Sequence, residues 1–273
     1  METIQDSTIT IDQLRDLREE RRLIPFIGAG LSKNLGLPNW EGLIQLLADD
    51  LNVPMREFDL RGDFLQIAEY YLLVKGDIDA FKKMMHRFLH PSDEAILESS
   101  IYNTLVELQF PIIYTTNFDD IIERAYTLKG IPYHAISDMK DLVAPPHKTT
   151  QIVKIHGTYN DDSSIVLTES HFFKRLEFEN AIDIKFKHDL LGHSVMFIGY
   201  SFRDINIRYR IYEMMKYKRK LLEDQDVVPT AIFIDFNIGK IRKKILSSRR
   251  IPFVELIDEN KGRRVAEFFE MLR

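Results

Sequence analysis

The chain has 273 residues, 45% hydrophobic and 29% charged, enough for one large globular domain or one domain with a sizeable insertion. A formal net charge of −5 gives no global basic face for nucleic acid. The absence of cysteine rules out disulfides, a cysteine nucleophile and a thiolate zinc site together. The opening METIQDSTITID lacks a basic-then-apolar leader pattern, and no stretch reaches the apolar length of a membrane span, so the expectation is a cytoplasmic protein.

In chain order, TIDQLRDLREERR carries Leu14 and Leu17 among charges and reads as a helix starting near Thr10 or Asp12. LIPFIG is a short apolar strand. NWEGLIQLLADDL spaces Trp40, Leu43, Ile44, Leu47 and Leu51 as one helical face. From Asp63 to Leu108 only helical patterns occur: FLQIAEYYLLV, IDAFKKMMHRFL, and SDEAILESSIYNTLVEL with Ser92 as its cap. Short apolar runs then return, each followed by a helix. PIIYTTNF precedes DDIIERAYTL. QIVKIHG leads through a SIVLT run to helices beginning near Thr168 and Asn180. SVMFIGYSF precedes DINIRYRIYEMMKYKRKLL, PTAIFIDF precedes IGKIRKKILSS, and IPFVEL precedes GRRVAEFFEML. Strands alternating with helices predict an α/β fold with a parallel sheet covered on both faces. The run without strands predicts a helical insertion at about 55–108 within a single domain spanning 1–273.

Ligands of such sheets sit beyond the carboxyl ends of the strands. Small or polar residues stand at five such ends: Gly28-Ala29-Gly30-Leu31-Ser32, Thr115-Thr116-Asn117-Phe118-Asp119, His156-Gly157, Gly199-Tyr200-Ser201-Phe202-Arg203-Asp204, and Asp235. Each also has a plain structural reading. A tight turn alone needs glycine at 28 and 30, and Asn117 and Asp119 suit turns and helix starts. A lone histidine such as His156 is commonly a core residue. Ser201 or Asp204 could cap the helix that follows, and a capped N-terminus can also bind phosphate. The run KYKRK, Lys216 to Lys220, suits a solvated helix end.

Several chemistries are set aside. GAGLSK lacks the Gly-Lys-Ser/Thr ending of a phosphate loop, and Lys33 stands where a dehydrogenase fingerprint needs its third glycine. No Glu-x-x-His spacing suggests a metal site. No glycine stands two residues after Ser201, as a nucleophile elbow requires.

Taken together, GAGLS…GLPNW, TTNFD, KIHG and FIGYSF resemble the sirtuin family, whose corresponding segments read Gly-Ala-Gly-Ile-Ser…Gly-Ile-Pro-Asp-Phe, Thr-Gln-Asn-Ile-Asp, His-Gly and Gly-Thr-Ser. They occur in the family's order from Leu23 to about Asp235. The resemblance implies a Rossmann-like, doubly wound sheet with a helical small domain. The chain departs from deacetylating sirtuins in four ways. It has no cysteines for their zinc module and no Phe-Gly-Glu peptide clamp between His156 and His193. Glu41 replaces an arginine, and Thr116 replaces the glutamine before the asparagine. That pattern is similar to the bacterial SIR2-like domains of antiphage defence, where GLPxW and GxSxxD forms are usual, here GLPNW and GYSFRD.

The resemblance implies hydrolysis of the nicotinamide–ribose bond of NAD+, used as substrate and with no metal. His156 would be the base for water or a ribose hydroxyl, and Asn117 would hold the ribose or orient the water. Asp119 would bind the nicotinamide carboxamide. Gly28, Ala29, Gly30 and Ser32 would supply backbone N–H groups and a hydroxyl to the pyrophosphate, Gly199 and Ser201 would face the phosphate and adenosine ribose, and Asp235 would accept from the adenine-side ribose hydroxyls. Three other readings stay open: a non-catalytic NAD or ADP-ribose sensor, an ADP-ribosyltransferase, and a nuclease subunit of a DNA-handling complex. An NAD hydrolase needs a switch, and no sensor segment is evident, so control is expected in trans or through a homo-oligomer. By resemblance the expected partner is a HerA-like hexameric ATPase, with nucleic acid met only through that complex.

Overall fold

A computed structural model of the protein describes residues 4–54, 64–88, 90–143, 146, 149–177, 180–221 and 228–273. A first strand β1 (Ile4–Ser7) leads to α1 (Ile11–Glu19). Thr10 caps α1 in a reciprocal box: Gln13 N–H donates to Thr10 Oγ1 at 3.2 Å, and Thr10 N–H donates to Gln13 Oε1 at 2.9 Å. Strand β2 (Leu23–Ile27) runs into the short α2 (Ala29–Ser32). After one 3-10 turn comes α3 (Trp40–Asp50), capped by Asn39.

Four helices follow: α4 (Phe64–Lys75), α5 (Asp79–Phe88), α6 (Asp93–Glu98) and α7 (Ser100–Glu107). The expected single helix from Ser92 is two, because Ser99 takes an extended backbone (φ −75°, ψ 106°) that ends α6 and starts α7. The first stretch of the expected insertion, 55–63, lies outside the described residues. The buried residues of α4–α7, such as Ile67, Tyr71, Phe81, Tyr102 and Leu105, belong to the same apolar cluster as Leu23, Ile27 and Ile113 of the sheet. These helices therefore pack on the sheet's own core.

Then come β3 (Ile112–Thr115), α8 (Ile121–Leu128), β4 (Tyr133–Ile136) and β5 (Thr150–Lys154). After them stand α9 (Glu169–Glu177), α10 (Ala181–Gly192), β6 (Ser194–Ile198), α11 (Ile205–Leu221), β7 (Ala231–Phe236), α12 (Lys240–Ser248), β8 (Phe253–Leu256) and α13 (Lys261–Met271). Sequence patterning did not anticipate β1 or β4. β4 is an edge strand that is mostly half-buried, so it lacks a continuous apolar signature. The SIVLT run is no strand; after one 3-10 turn, Val166 N–H donates to the His156 carbonyl at 2.9 Å.

The strand order is β1-β8-β7-β6-β2-β3-β5-β4, with every pair parallel except β1 with β8. From β2 the chain winds one way through β3, β5 and β4, then the other way through β6, β7 and β8. This is the doubly wound, Rossmann-like α/β arrangement, with its switch point between β2 and β6. Side chains alternate across the sheet: Leu23 and Ile27 join the face covered by α1, α3–α8 and α13, while Ile24 and Phe26 join the face covered by α10, α11 and α12. Pro25 is tolerated inside β2 because pairing with β3 starts only at Phe26. No helix among the described residues is long and apolar enough to cross a membrane.

The two loops at the switch point touch backbone to backbone. Gly28 N–H donates to the Ile198 carbonyl at 3.0 Å and Gly30 N–H to the Gly199 carbonyl at 2.9 Å. A Cβ on Gly28 would lie 2.4 Å from Gly199 O and 2.6 Å from Tyr200 Cα, and Gly199 itself has φ +64°. Gly28→Ala should therefore destabilise the protein by on the order of 1–3 kcal/mol through overpacking. Gly192→Ala, at a helical position with open space around it, should be neutral or stabilising by up to about 1 kcal/mol. Thermal denaturation of the two variants side by side checks this ordering.

Candidate active site

Strand register aligns the polar strand ends. Ile27 pairs with Thr115 on one side and Ile198 on the other, and Thr115 pairs with Lys154. Two residues beyond these positions, Ala29, Asn117, His156 and Tyr200 follow the ends of four neighbouring strands in matched register. The β3 end is fixed by its own side chains. Thr115 Oγ1 donates to the Ile27 carbonyl at 2.9 Å and accepts Asn117 N–H at 3.0 Å, which turns the chain at Asn117.

Below that turn lies a buried polar cluster. Asn117 Nδ2 donates to Ser32 Oγ at 3.1 Å, and Ser32 Oγ donates to Asp119 Oδ2 at 3.1 Å. With its proton on Asp119, Ser32 accepts from the Tyr102 hydroxyl, 3.2 Å away. Asn117 Oδ1 is buried with no hydrogen-bond partner among the described residues. An orphaned acceptor is expensive in a native interior unless something else binds it. Asp119 Oδ1 accepts Ile121 N–H at 3.3 Å, so Asp119 helps start α8 as well as closing the cluster.

A buried charge group supports it. Lys154, 1% exposed, points its amine at the Asp119 carbonyl and at Glu123 Oε1, 2.9 Å away. Complete burial pushes the Asp119 carboxyl up to about 6; Lys154 opposes that shift and Glu123 adds to it. Burial also raises the Tyr102 hydroxyl far above its ordinary range, so it stays protonated.

His156 is held from several sides. Gly157 turns at φ +78°, where a Cβ would collide with the Ser164 backbone. The imidazole meets the Phe172 ring edge-on with centroids 5.1 Å apart. Its Nε2 lies 2.9 Å from Asp204 Oδ2, an ion-pair contact outside hydrogen-bond alignment. Asp204 Oδ1 caps α11, accepting Asn206 N–H at 2.8 Å and Ile207 N–H at 3.4 Å. Burial acts to raise the Asp204 carboxyl, but His156 and the two backbone N–H groups outweigh it, leaving the group below the usual carboxylate range. Just behind, Arg175 bonds the Ile155 carbonyl and Asp183, and Arg210 reaches Asp183 at 3.2 Å, which ties α9, α10 and α11 to the end of β5.

The structure thus brings Ser32, Asn117 and Asp119 into direct contact, with His156 on the neighbouring strand end. It corrects the expectation that Gly28, Gly30 and Ser32 donate to a pyrophosphate: the N–H groups of Gly28 and Gly30 are spent on Ile198 and Gly199 and the Ser32 hydroxyl on Asp119, while Ala29 N–H has no partner among the described residues. Gly199 belongs to the same interlock. Ser201 is exposed. Asp235 stands apart, with Oδ2 paired to Arg242 at 3.0 Å and Oδ1 on Phe236 N–H. The basic run at 216–220 is partly structural. Lys218 is buried on the His193 carbonyl, and burial with nearby Arg22 lowers its amine to about 8; Arg219 bonds the Arg249 carbonyl.

Sequence reasoning missed Tyr102, which looked like any core aromatic. It also missed Lys154 with Glu123, although a lysine inside the apolar QIVKI was a visible signal. Asp204 was read as a cap, which it is, with its second oxygen's contact to His156 unseen.

Residues 111–249 match the family described as SIR2-like domain. The chain is similar to a NAD(+) hydrolase ThsA from Cytobacillus dafuensis, 30% identical over 197 residues, covering 72% of this chain and 38% of that protein. It is also similar to Defense-associated sirtuin 2 from Bacillus subtilis, 24% identical over 94% of this chain and 24% of that protein. The chain therefore spans well under half the length of these curated relatives. A solved structure of Sir2 enzymes aligns over 96% of this chain and 97% of its own at 14% identity and a TM-score of 0.48.

The buried carboxyl gives a pH-dependent stability. With its folded pKa raised to about 6, Asp119 binds a proton more tightly in the folded than in the unfolded protein. Its contribution to stability falls as pH rises from about 4 through about 6, by at most about 3 kcal/mol. Asp119→Asn removes that loss. The variant should be more stable than wild type at pH 8, with the gain shrinking below pH 6 and gone near pH 4, in denaturant titrations across that range.

Proposed function

The chain belongs to the SIR2-like domain family, and from that premise we propose that it is an NAD+ glycohydrolase that depletes NAD+ in antiphage defence. The products are nicotinamide and ADP-ribose. The observation that carries this reading is the buried, orphaned Asn117 Oδ1, held beside Ser32 and Asp119 at the strand end next to His156. An unpaired acceptor fits a ribose hydroxyl or an attacking water. The names of the relatives, NAD(+) hydrolase and defence-associated sirtuin, support the same reaction and setting.

Nicotinamide leaves as a neutral ring from a cationic one, so departure needs no proton. The difficulty is to stabilise an oxocarbenium-like ribose and deliver water to C1′. In this reading His156 takes the proton from that water or from a ribose hydroxyl, a role usually worth ~10²–10⁴-fold in rate. Asn117 orients the nucleophile or the ribose, and Asp119 receives the nicotinamide carboxamide. Gly28 and Gly30 shape the turn at which the pyrophosphate lies, Ala29 supplies its free N–H, and Ser32 holds Asn117 and Asp119 in place. Gly199 and Ser201 face the phosphate and adenosine ribose. Asp235 takes the adenine-side ribose hydroxyls in competition with Arg242.

The protein acts in the cytoplasm and needs no metal. Its control comes in trans, from a HerA-like hexameric ATPase, together with assembly into a homo-oligomer; nucleic acid is met only through that complex. Exposed Ile205, Tyr209 and Tyr212, at i, i+4 and i+7 on α11, offer an apolar stripe for such contacts.

Purified protein incubated with NAD+, alone and with the product of its neighbouring gene, should release nicotinamide and ADP-ribose in equal amounts, followed by chromatography. His156→Ala and Asn117→Ala should each lose at least ~10²-fold in turnover while remaining folded, as circular dichroism checks. NAD+ bound but never cleaved by wild type under either condition would overturn the hydrolase reading in favour of a sensor.

A further inference from the structure

We propose that Asp204 is the positioning carboxylate of His156: it holds the proton on Nε2, so that Nδ1 presents its lone pair to the reacting water. This rests on the hydrolase reading above. The contact joins loops that follow β6 and β5, and β2 and β3 stand between those strands in the sheet. It is therefore a link between distant strand ends, which capping α11 would not require. One oxygen, Oδ1, already does the capping, and Ser, Thr or Asn would cap as well. Asp204 Oδ2 lies 2.9 Å from the imidazole Nε2, within charge-pairing distance though outside hydrogen-bond alignment, and both side chains are almost buried, at 11% for His156 and 9% for Asp204.

The cap bonds fix the carboxylate, and Phe172 and the Gly157 turn fix the ring. An ionised carboxylate only accepts, so in the neutral imidazole the proton belongs on Nε2 and the lone pair on Nδ1. Nδ1 has no partner among the described residues. In the reaction, the water oxygen bonds to C1′ as the C1′–N bond breaks, its electron pair returning to the nicotinamide ring. The water's proton passes to Nδ1, and the Asp204 carboxylate stabilises the resulting imidazolium until that proton leaves to solvent. The sum is NAD+ plus water giving nicotinamide, ADP-ribose and one proton.

Asp204→Asn separates this role from capping, because asparagine caps equally well but carries no charge. Wild type, Asp204→Asn and His156→Ala are compared for melting temperature, kcat and KM with NAD+, and the 15N shifts of the His156 ring are read in the first two. The expected result is Nε2 protonated and Nδ1 bare in wild type, with that preference lost in Asp204→Asn. The variant's kcat should fall ~10²–10⁴-fold, with KM within about threefold of wild type if the carboxylate acts on the chemical step rather than on binding. Full kcat in Asp204→Asn beside a dead His156→Ala would overturn the proposal and leave the hydrolase reading intact. A wild-type ring protonated on Nδ1 would also overturn it. If wild type cleaves no NAD+ either alone or with the product of its neighbouring gene, the hydrolase reading fails, and the ring shifts alone decide whether Asp204 orients His156. If Asp204→Asn does not fold, the wild-type tautomer still decides.

Discussion

The site depends on one close passage of backbone, where the turn after β2 lies against the turn after β6. Gly28 and Gly30 each have their nearest obstacle at Gly199, with a built Cβ 2.4 and 2.7 Å from its carbonyl oxygen. The two turns are also stitched by N–H···O bonds to Ile198 and Gly199. No side chain fits there, so the starts of α2 and of the β6–α11 loop are set relative to one another. From the first, Ser32 is carried to Asn117 and Asp119; from the second, Asp204 is carried to His156. Both polar contacts inherit their placement from a contact that has no polar side chain in it.

The second constraint is electrostatic. Asp119, Glu123 and Lys154 are all buried against one another, a costly arrangement that would be hard to justify for packing alone. Lys154 offsets part of the carboxylate charge, yet the Asp119 carboxyl remains raised to about 6. Groups held away from their ordinary protonation equilibrium cluster where chemistry is done. The lysine also bonds the Asp119 main chain, so the charge that tunes the carboxyl also holds the loop that carries it. The chain has no cysteine for a thiolate zinc module. The helices α4–α7 share the sheet's core instead, and through Tyr102 on α7 they reach into the polar cluster itself.

The doubly wound core was legible because six of its strands are apolar runs followed by helices, and because Asn117 and His156 interrupt that pattern where strands stop. β4 was not legible, since an edge strand with half-buried positions carries no such run. Nor was the break at Ser99, where the helical periodicity of SDEAILESSIYNTLVEL runs on across a backbone that turns extended. At the site, residue types were readable while partners were not. Nothing in GAG says that two of its N–H groups are spent on the neighbouring loop. Nothing in YSFRD says that an aspartate suited to capping has its other oxygen on a histidine 48 positions earlier in the chain.

That last pairing bears on how the two polar contacts divide the work. The Asn117–Ser32–Asp119 contacts join the ends of β2 and β3, which are neighbours. The His156–Asp204 contact joins β5 and β6, which flank that pair in the sheet. The inner group is anchored close to the glycine interlock, since Ser32 follows two residues after Gly30. The outer contact, His156–Asp204, starts from the loop after β6, which also carries the exposed Ser201.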